Sequence, residues 1–244
     1  MSRFFVTKDM INGSEITLSE EDSAHLARVL RAEVGEKITA IDESGIEYAA
    51  EITEISKKAV KAKITDFKKS AAEPKISVTL FQGLPKGAKM ELIIQKCVEI
   101  GIDKIVPVST ARAVVKLNEE KSAGKEKRWN KIAEEAAKQS GRGKIPKVTA
   151  PISFDEAVKS ANDFDMAIMP YELHEKADFK SYLRSHNPKS IAVYIGPEGG
   201  FEESEAELAK EQGIYPVSLG KRILRTETAP LSVLSVLMYE YDWE

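Results

Sequence analysis

The chain has a single cysteine, Cys97, and three histidines, His25, His174 and His186, none close to another in sequence. One thiol cannot close an intrachain disulfide. No pair of these residues has the spacing of a zinc knuckle or a Cys–His nucleophile pair, so no metal site is expected and thiol chemistry is set aside. No apolar run approaches the roughly 20 residues of a spanning helix, which argues against a membrane partner. Met1-Ser2-Arg3-Phe4-Phe5-Val6 lacks the basic, apolar and small-residue regions of a signal peptide, and with the lone cysteine this points to the cytosol. Both the G-x-G-x-x-G fingerprint and the G-x-x-x-x-G-K-S/T loop are missing, which disfavours an NTPase or nucleotidyl transferase; ATP turnover would revive that class.

What is present is a 244-residue chain with 42% apolar and 31% charged residues, long enough for a sizeable core and two domains. The net charge of −3 hides an uneven distribution. Residues 71–155 carry 16 basic and 10 acidic side chains, whereas residues 156–244 carry 9 and 16. Most of the cationic excess lies between Lys121 and Lys147, where nine Lys/Arg face three Glu. A solvated helix face is the commoner meaning of such a run; an anion-binding surface is the functional one.

Up to about residue 70 the pattern is short strands with one helix. Residues 3–7, 37–41, 46–53 and 59–67 read as strands, and Ser19-Glu20-Glu21-Asp22 as the capped start of a helix in which Leu26, Val29 and Leu30 share a face. A small, mostly β barrel is expected, followed by a polar linker ending at Pro74. From Lys75 apolar strands alternate with helices. Strands are expected at 76–81, 104–109, 165–169, 191–195 and 214–219, and helices at 88–100, 125–140, 153–161, 176–185, 203–212 and 229–241. That rhythm predicts a mainly parallel sheet covered by helices, with ligands at the carboxyl ends of its strands. Cys97, on the apolar stripe of the 88–100 helix, is expected in the core.

Two segments after predicted strands carry chemistry. Gly196-Pro197-Glu198-Gly199-Gly200-Phe201 offers backbone for close approach of a ligand, and its acidic neighbours Glu202, Glu203 and Glu205 would repel a phosphate. Leu219-Gly220-Lys221-Arg222-Ile223-Leu224-Arg225-Thr226-Glu227-Thr228-Ala229 sets two arginines and a glutamate in a short loop between a strand and a buried helix. An ion pair between Glu227 and one arginine is the structural alternative.

These two motifs, with Gln82–Glu91 as QGLPKGAKME, Gln95–Gly101 as QKCVEIG, the N-terminal RFF and His25–Arg31 as HLARVLR, resemble the SPOUT-class methyltransferases that modify uridine N3 in 16S ribosomal RNA. The likeness covers almost the whole chain. Glu202 departs from it, standing where a helix-capping Ser or Thr is usual. The resemblance implies an α/β protein with a PUA-like β-barrel over residues 1–70 that helps hold RNA. It also implies a SPOUT domain over residues 75–244, knotted into a deep trefoil, which general topology rules would exclude.

It further implies a homodimer acting on 16S rRNA or the small ribosomal subunit, with S-adenosylmethionine as cofactor. The cofactor would meet Met169, Pro170, Tyr171, Gly196, Glu198, Gly199, Gly200, Leu219, Gly220, Ile223, Leu224 and Thr228, and a side chain added at Gly199 is expected to enter its pocket. RNA-facing positions would be Arg112, Lys127, Arg128, Gln139, Ser140, Arg142 and Lys144, extended by Arg3, Arg28 and Arg31. His25 is more simply a hydrogen-bonded surface histidine than a base-stacking one.

N3 of uridine is a poor nucleophile while protonated, so its proton must be removed and charge on the flanking carbonyl oxygens stabilised. Arg225 suits the second task, because a guanidinium donates paired hydrogen bonds without losing a proton. Glu227 either orients Arg225 or takes the proton, Glu198 is its rival, and water suffices if the uracil is acidified enough. The competing class is a non-catalytic RNA-binding or ribosome-assembly factor on the same scaffold, which need not bind S-adenosylmethionine.

Overall fold

The computed structural model describes residues 2–56, 58–113, 119–171 and 179–243, which fall into two compact units. The first gathers the chain up to Glu73 together with Ala137–Ile145; the second gathers Pro74–Ala136 and Pro146 onward.

In the first unit, β1 (Ser2–Val6), β2 (Ile11–Asn12), β3 (Glu15–Thr17), β4 (Lys37–Asp42), β5 (Ile46–Ile55) and β6 (Val60–Lys69) form one sheet in the order β1-β4-β5-β6-β3-β2. The β1–β4 pair is parallel and the others antiparallel. Alternate residues Phe4 and Val6, Ile38 and Ala40, Ala50 and Ile52, Val60 and Ala62 are buried in one cluster, as period-two strands require. Register shifts at Ala49/Ala50 and Ile52/Glu54 bend the long β5–β6 ribbon, and the sheet curls around this core.

The single helix of this unit departs from the expected stripe. Ser19 caps α1 (Glu20–His25), accepting a 3.1 Å hydrogen bond from Asp22 N–H, but Leu26–Leu30 continues as a π-helix. The wider winding turns successive side chains off the 3.6-residue stripe. Leu26 therefore stays buried while Val29 and Leu30 are 66% and 45% exposed. Arg31 ends the segment in the left-handed region at φ 52°.

Arg142 completes the first unit from far along the chain. Its Nε and one terminal nitrogen donate to the two Glu73 carboxylate oxygens at 2.8 and 2.7 Å, and Gly143 N–H adds a third bond at 2.8 Å. Arg142 is 3% exposed. This corrects its assignment to an RNA-facing surface, because a buried fork already engaged by a carboxylate is not offered to a phosphate.

The second unit contains β7 (Ser77–Gly83), α2 (Lys89–Ile100), β8 (Lys104–Ser109), α3 (Glu119–Ser140, its last turn counted with the first unit), β9 (Lys147–Val148), β10 (Ile152–Ser153) and α4 (Phe154–Lys159). It continues with β11 (Met166–Pro170), α5 (Phe179–Arg184), β12 (Ser190–Ile195), α6 (Glu203–Glu211), β13 (Tyr215–Val217) and α7 (Ala229–Tyr241). The sheet order is β10-β8-β7-β12-β11-β13, with β9 on β8, and its described pairings are all parallel. Ala192 and Tyr194 join the cluster that includes Phe154 of α4 and Ala209 of α6. Ile191, Val193 and Ile195 fall on the opposite face by strand alternation, and α7 packs against β12 and α2.

Cys97 is fully buried, and burial pushes its thiol pKa up, so it behaves as a small core apolar residue. The expected 176–185 helix begins in the undescribed stretch, where His174 also lies, and its described part is α5.

Burial raises the Glu73 pKa, but the hydrogen bond and charge of Arg142, Gly143 N–H and the charge of Lys144 more than offset it and leave the pKa below 4.5. A depressed carboxylate contributes stability above its unfolded pKa that is lost as pH falls through the folded one. Calorimetry of the full chain should therefore show first-unit stability falling below pH 4.5. Arg142→Ala should remove about 3 kcal/mol at neutral pH by stranding Glu73 and should flatten that acid dependence.

Candidate active site

Because the strands of the second unit run parallel, the ends of β7, β8, β11, β12 and β13 and their following loops share one edge. Backbone approaches backbone there with no room for side chains. A Cβ built on Gly83 would stand 2.6 Å from Pro197 Cδ, and one on Gly196 would stand 3.0 Å from Gly200 Cα. The turn Pro197–Gly200 is closed by Gly200 N–H donating to Pro197 C=O at 2.9 Å, with Gly200 at φ +67°. Gly199 differs from expectation. Its Cβ would meet Arg112 Cβ at 3.2 Å, while Arg112 donates to Gly199 C=O at 2.9 Å, so this glycine faces an arginine stem instead of a ligand space. Glu202 caps α6 in place of Ser or Thr, exchanging side-chain and backbone hydrogen bonds with Glu205.

The segment after β13 begins beside β11 and returns to the ends of β12 and β7. Thr226, 5% exposed, donates through Oγ1 to Gly196 C=O at 2.8 Å and accepts from Gln82 Nε2 at 3.0 Å. Gln82 is fully buried, and its Nε2 also donates to Gly83 C=O at 3.0 Å. Its Oε1 has no hydrogen-bond partner among the described residues. Thr228 N–H and Ala229 N–H both donate to Arg225 C=O, and Pro230 follows in the first turn of α7, where its missing N–H costs nothing.

Arg225 is exposed, and its guanidinium makes no hydrogen bond or ion pair with the described residues. The alternative in which an arginine pairs with Glu227 is not what forms. The Glu227 carboxylate faces Lys89 Nζ at 3.6 Å, and its Oε2 is buried without a hydrogen bond. Lys89 Nζ also lies 2.9 Å from Glu198 Oε1, which accepts from Lys86 N–H at 3.1 Å as well. Burial raises the Glu198 pKa, but the hydrogen bonds from Lys89 and the backbone, with the Lys89 charge, hold it below the ordinary carboxylate value. Its lowered pKa and its hydrogen bonds from Lys89 and Lys86 N–H make Glu198 a weak proton acceptor.

The other cofactor candidates lie along the same edge. Met169 is 2% exposed, Pro170 pairs with Val217, and Tyr171 N–H donates to Val217 C=O at 3.0 Å. Leu219 and Leu224 are half-buried, Gly220 sits at φ +96° with open space at its Cβ position, and Thr228 is exposed. Ile223 is 83% exposed. Gln82, Lys89 and Thr226 were not among the candidates, although a signal exists for Lys89. A cation in the first turn of a helix opposes the macrodipole and needs another reason to be there.

The basic candidates divide. In the second unit Lys127 is exposed and Arg128 pairs with Glu91 at 2.8 Å, while Arg112 is tied to Gly199 and lies 4.0 Å from Glu202. In the first unit Arg28, Arg31, Gln139 and Lys144 are exposed and Ser140 is half-buried. Arg3 is paired with Glu47, so its role in that unit is structural.

The chain matches the model of the RNA methyltransferase domain family over residues 72–238 and that of the RNA methyltransferase PUA domain over residues 18–65. It is 38% identical to ribosomal RNA small subunit methyltransferase E of Bacillus subtilis, over 99% of this chain and 98% of that protein. A methyltransferase of Legionella pneumophila, solved with bound S-adenosylmethionine, is similar with a TM-score of 0.89 and 34% identity over 99% and 98% of the chains. A ribosomal RNA small subunit methyltransferase E of Neisseria gonorrhoeae, also bound to S-adenosylmethionine, is similar with a TM-score of 0.88 and 32% identity over the same shares.

Thr226→Val keeps the volume but removes both hydroxyl bonds from a buried position. It should lower stability by about 1–3 kcal/mol, and the amides of 218–228 should lose hydrogen-exchange protection. Thr226→Ser should restore both. Unchanged exchange in Thr226→Val would show that packing alone holds the segment.

Proposed function

The chain belongs to the RNA methyltransferase family, and from that premise we propose that it methylates N3 of a uridine in 16S rRNA, using S-adenosylmethionine. The observation that carries this reading is the Arg225 guanidinium, without a partner among the described residues, held at the carboxyl edge of a parallel sheet one residue from a threonine bonded to the glycine-rich turn. The 16S rRNA and the small subunit are taken as substrate because relatives of high coverage are named for them. With such a substrate, we take the reaction to occur in the cytosol.

The residues suit the cofactor. A sulfonium nucleoside without phosphate needs close backbone and buried acceptors, and the edge supplies Gly196, Gly200 and Gly220 together with Gln82 Oε1, which has no hydrogen-bond partner among the described residues. Met169–Tyr171, Leu219 and Leu224 complete the walls. S-adenosylmethionine, when bound, supplies an electrophilic methyl group. Arg225 donates paired hydrogen bonds to a carbonyl oxygen beside N3, and Glu227 receives the N3 proton, leaving the nitrogen lone pair free to attack. Glu198 keeps the turn in place. The target base must be unpaired, since N3 lies on its Watson–Crick edge.

We assign residues 1–70 to a PUA-like barrel and 75–244 to the catalytic domain. The return of Thr226 from beyond β13 to Gly196 and Gln82 supports threading of the chain after Gly196 into a trefoil knot. A second copy is the expected partner of α7. Val236 and Tyr239 of α7 leave 41% and 69% of their surface exposed, and Trp243, just past the helix end, lies edge-on to Tyr239 with 58% exposed, an apolar patch that a homodimer would cover.

The test is transfer of labelled methyl to 16S rRNA or small subunits, mapped by mass spectrometry of nuclease fragments. Methyl on uridine N3 is expected; RNA binding with neither cofactor affinity nor methyl transfer would favour the assembly-factor reading. Arg225→Lys should lower the single-turnover rate about 10²–10³-fold with cofactor and RNA affinities near normal, because lysine keeps the charge and loses the fork. Lys127→Glu should weaken RNA binding and reduce the slope of log K against log salt by about 0.7–0.9, leaving cofactor affinity unaltered.

A further inference from the structure

Lys89 begins α2, where a cation is disfavoured by the helix dipole. Its side chain is 34% exposed, and its Nζ stands between two carboxylates from different loops, 2.9 Å from Glu198 Oε1 and 3.6 Å from Glu227 Oε2. Those loops are the glycine-rich turn after β12 and the segment that returns from β13. Arg112 binds Gly199 C=O, Arg128 binds Glu91, and Lys86 reaches Glu198 through its backbone N–H. Among the described residues Lys89 is the cation that both carboxylates share.

We propose that Lys89 is a positioning residue for methyl transfer, fixing the Glu198 turn to the Arg225–Glu227 loop through this shared ammonium group and keeping Glu227 Oε2 aimed at the reacting base. The proposal rests on the methyltransferase reading. Geometry explains why one residue must do both jobs. Thr226 and Gln82 join the same loops through neutral hydrogen bonds, which fix the backbone but supply no charge to hold two neighbouring carboxylates together. Without Lys89 those carboxylates would repel, and the Glu227 side chain would turn toward solvent.

The test compares wild type, Lys89→Met and Lys89→Arg. Lys89→Met should lower the single-turnover rate at neutral pH about 10–100-fold while S-adenosylmethionine affinity, by calorimetry, stays within about threefold. Lys89→Arg should recover most of the rate. Carbon-detected NMR titration should show the Glu198 carboxyl pKa rising in Lys89→Met and returning in Lys89→Arg. An unchanged Glu198 titration, or a wild-type rate in Lys89→Met, would overturn the proposal. So would equal losses of rate and cofactor affinity that Lys89→Arg does not repair, since that pattern belongs to general loop disorder. If wild type itself transfers no methyl to 16S rRNA, the functional reading fails, while the titration still decides whether Lys89 governs the turn.

Discussion

The hydroxyl of Thr226 is the point on which the candidate site depends. It makes one donor bond to Gly196 and takes one from Gln82, and these join three stretches of chain that are far apart in sequence. A loop as polar as 218–228 would otherwise have little reason to leave the solvent at the β13 edge. Anchored at Thr226, it presents Arg225 outward on one side of the anchor and Glu227 inward on the other. Their divergent environments follow from the turn into α7, closed by Thr228 N–H on Arg225 C=O, since a straight extended segment would put both side chains on one side.

Charge at this edge is arranged by sharing. Glu198 and Glu227 come from different loops and meet one lysine, so neither carboxylate is isolated and neither consumes the arginine. An Arg225–Glu227 ion pair would be a reasonable local solution, but it would occupy the planar fork that suits an anionic uracil. With the lysine supplied by α2 instead, the guanidinium stays available. Two of the buried polar atoms that lack a hydrogen bond among the described residues, Gln82 Oε1 and Glu227 Oε2, sit at this same edge, the second within 3.6 Å of Lys89 Nζ. Unsatisfied buried polar atoms are costly in a finished core and are tolerated where a ligand completes them.

Much of this was legible in the sequence. Apolar alternation located the strands of the second unit to within a few residues, and the parallel arrangement followed from the intervening helices. Glycine-rich and arginine-bearing loops could be placed at the carboxyl edge by that logic alone. What could not be read were contacts made across the chain. Gln82 looks like an ordinary strand end, and Thr226 like any threonine before a helix. Their importance exists only once β7 and β12 are neighbours. The 26–30 segment failed for a different reason: periodicity assumes a 3.6-residue winding, and the π-turn breaks it.

Arg142 shows where the averaging of charge misleads. In sequence it belongs to a basic run, and its neighbours Gln139 and Lys144 are indeed exposed. Its own guanidinium is buried on a carboxylate some seventy residues earlier, and so contributes to holding the first unit together. A net charge counted along a segment measures how many cations are present, while long-range binding to a polyanion depends on how many remain uncommitted. Setting aside Arg142, Arg3 and Lys144, which lies 3.8 Å from the same Glu73 carboxylate, leaves Arg28 and Arg31 as exposed cations among the first unit's candidates, and Lys127 among the second's. Phosphate contacts position an RNA without specifying its sequence, so few such cations suffice if base selection is made at the edge where Arg225 stands.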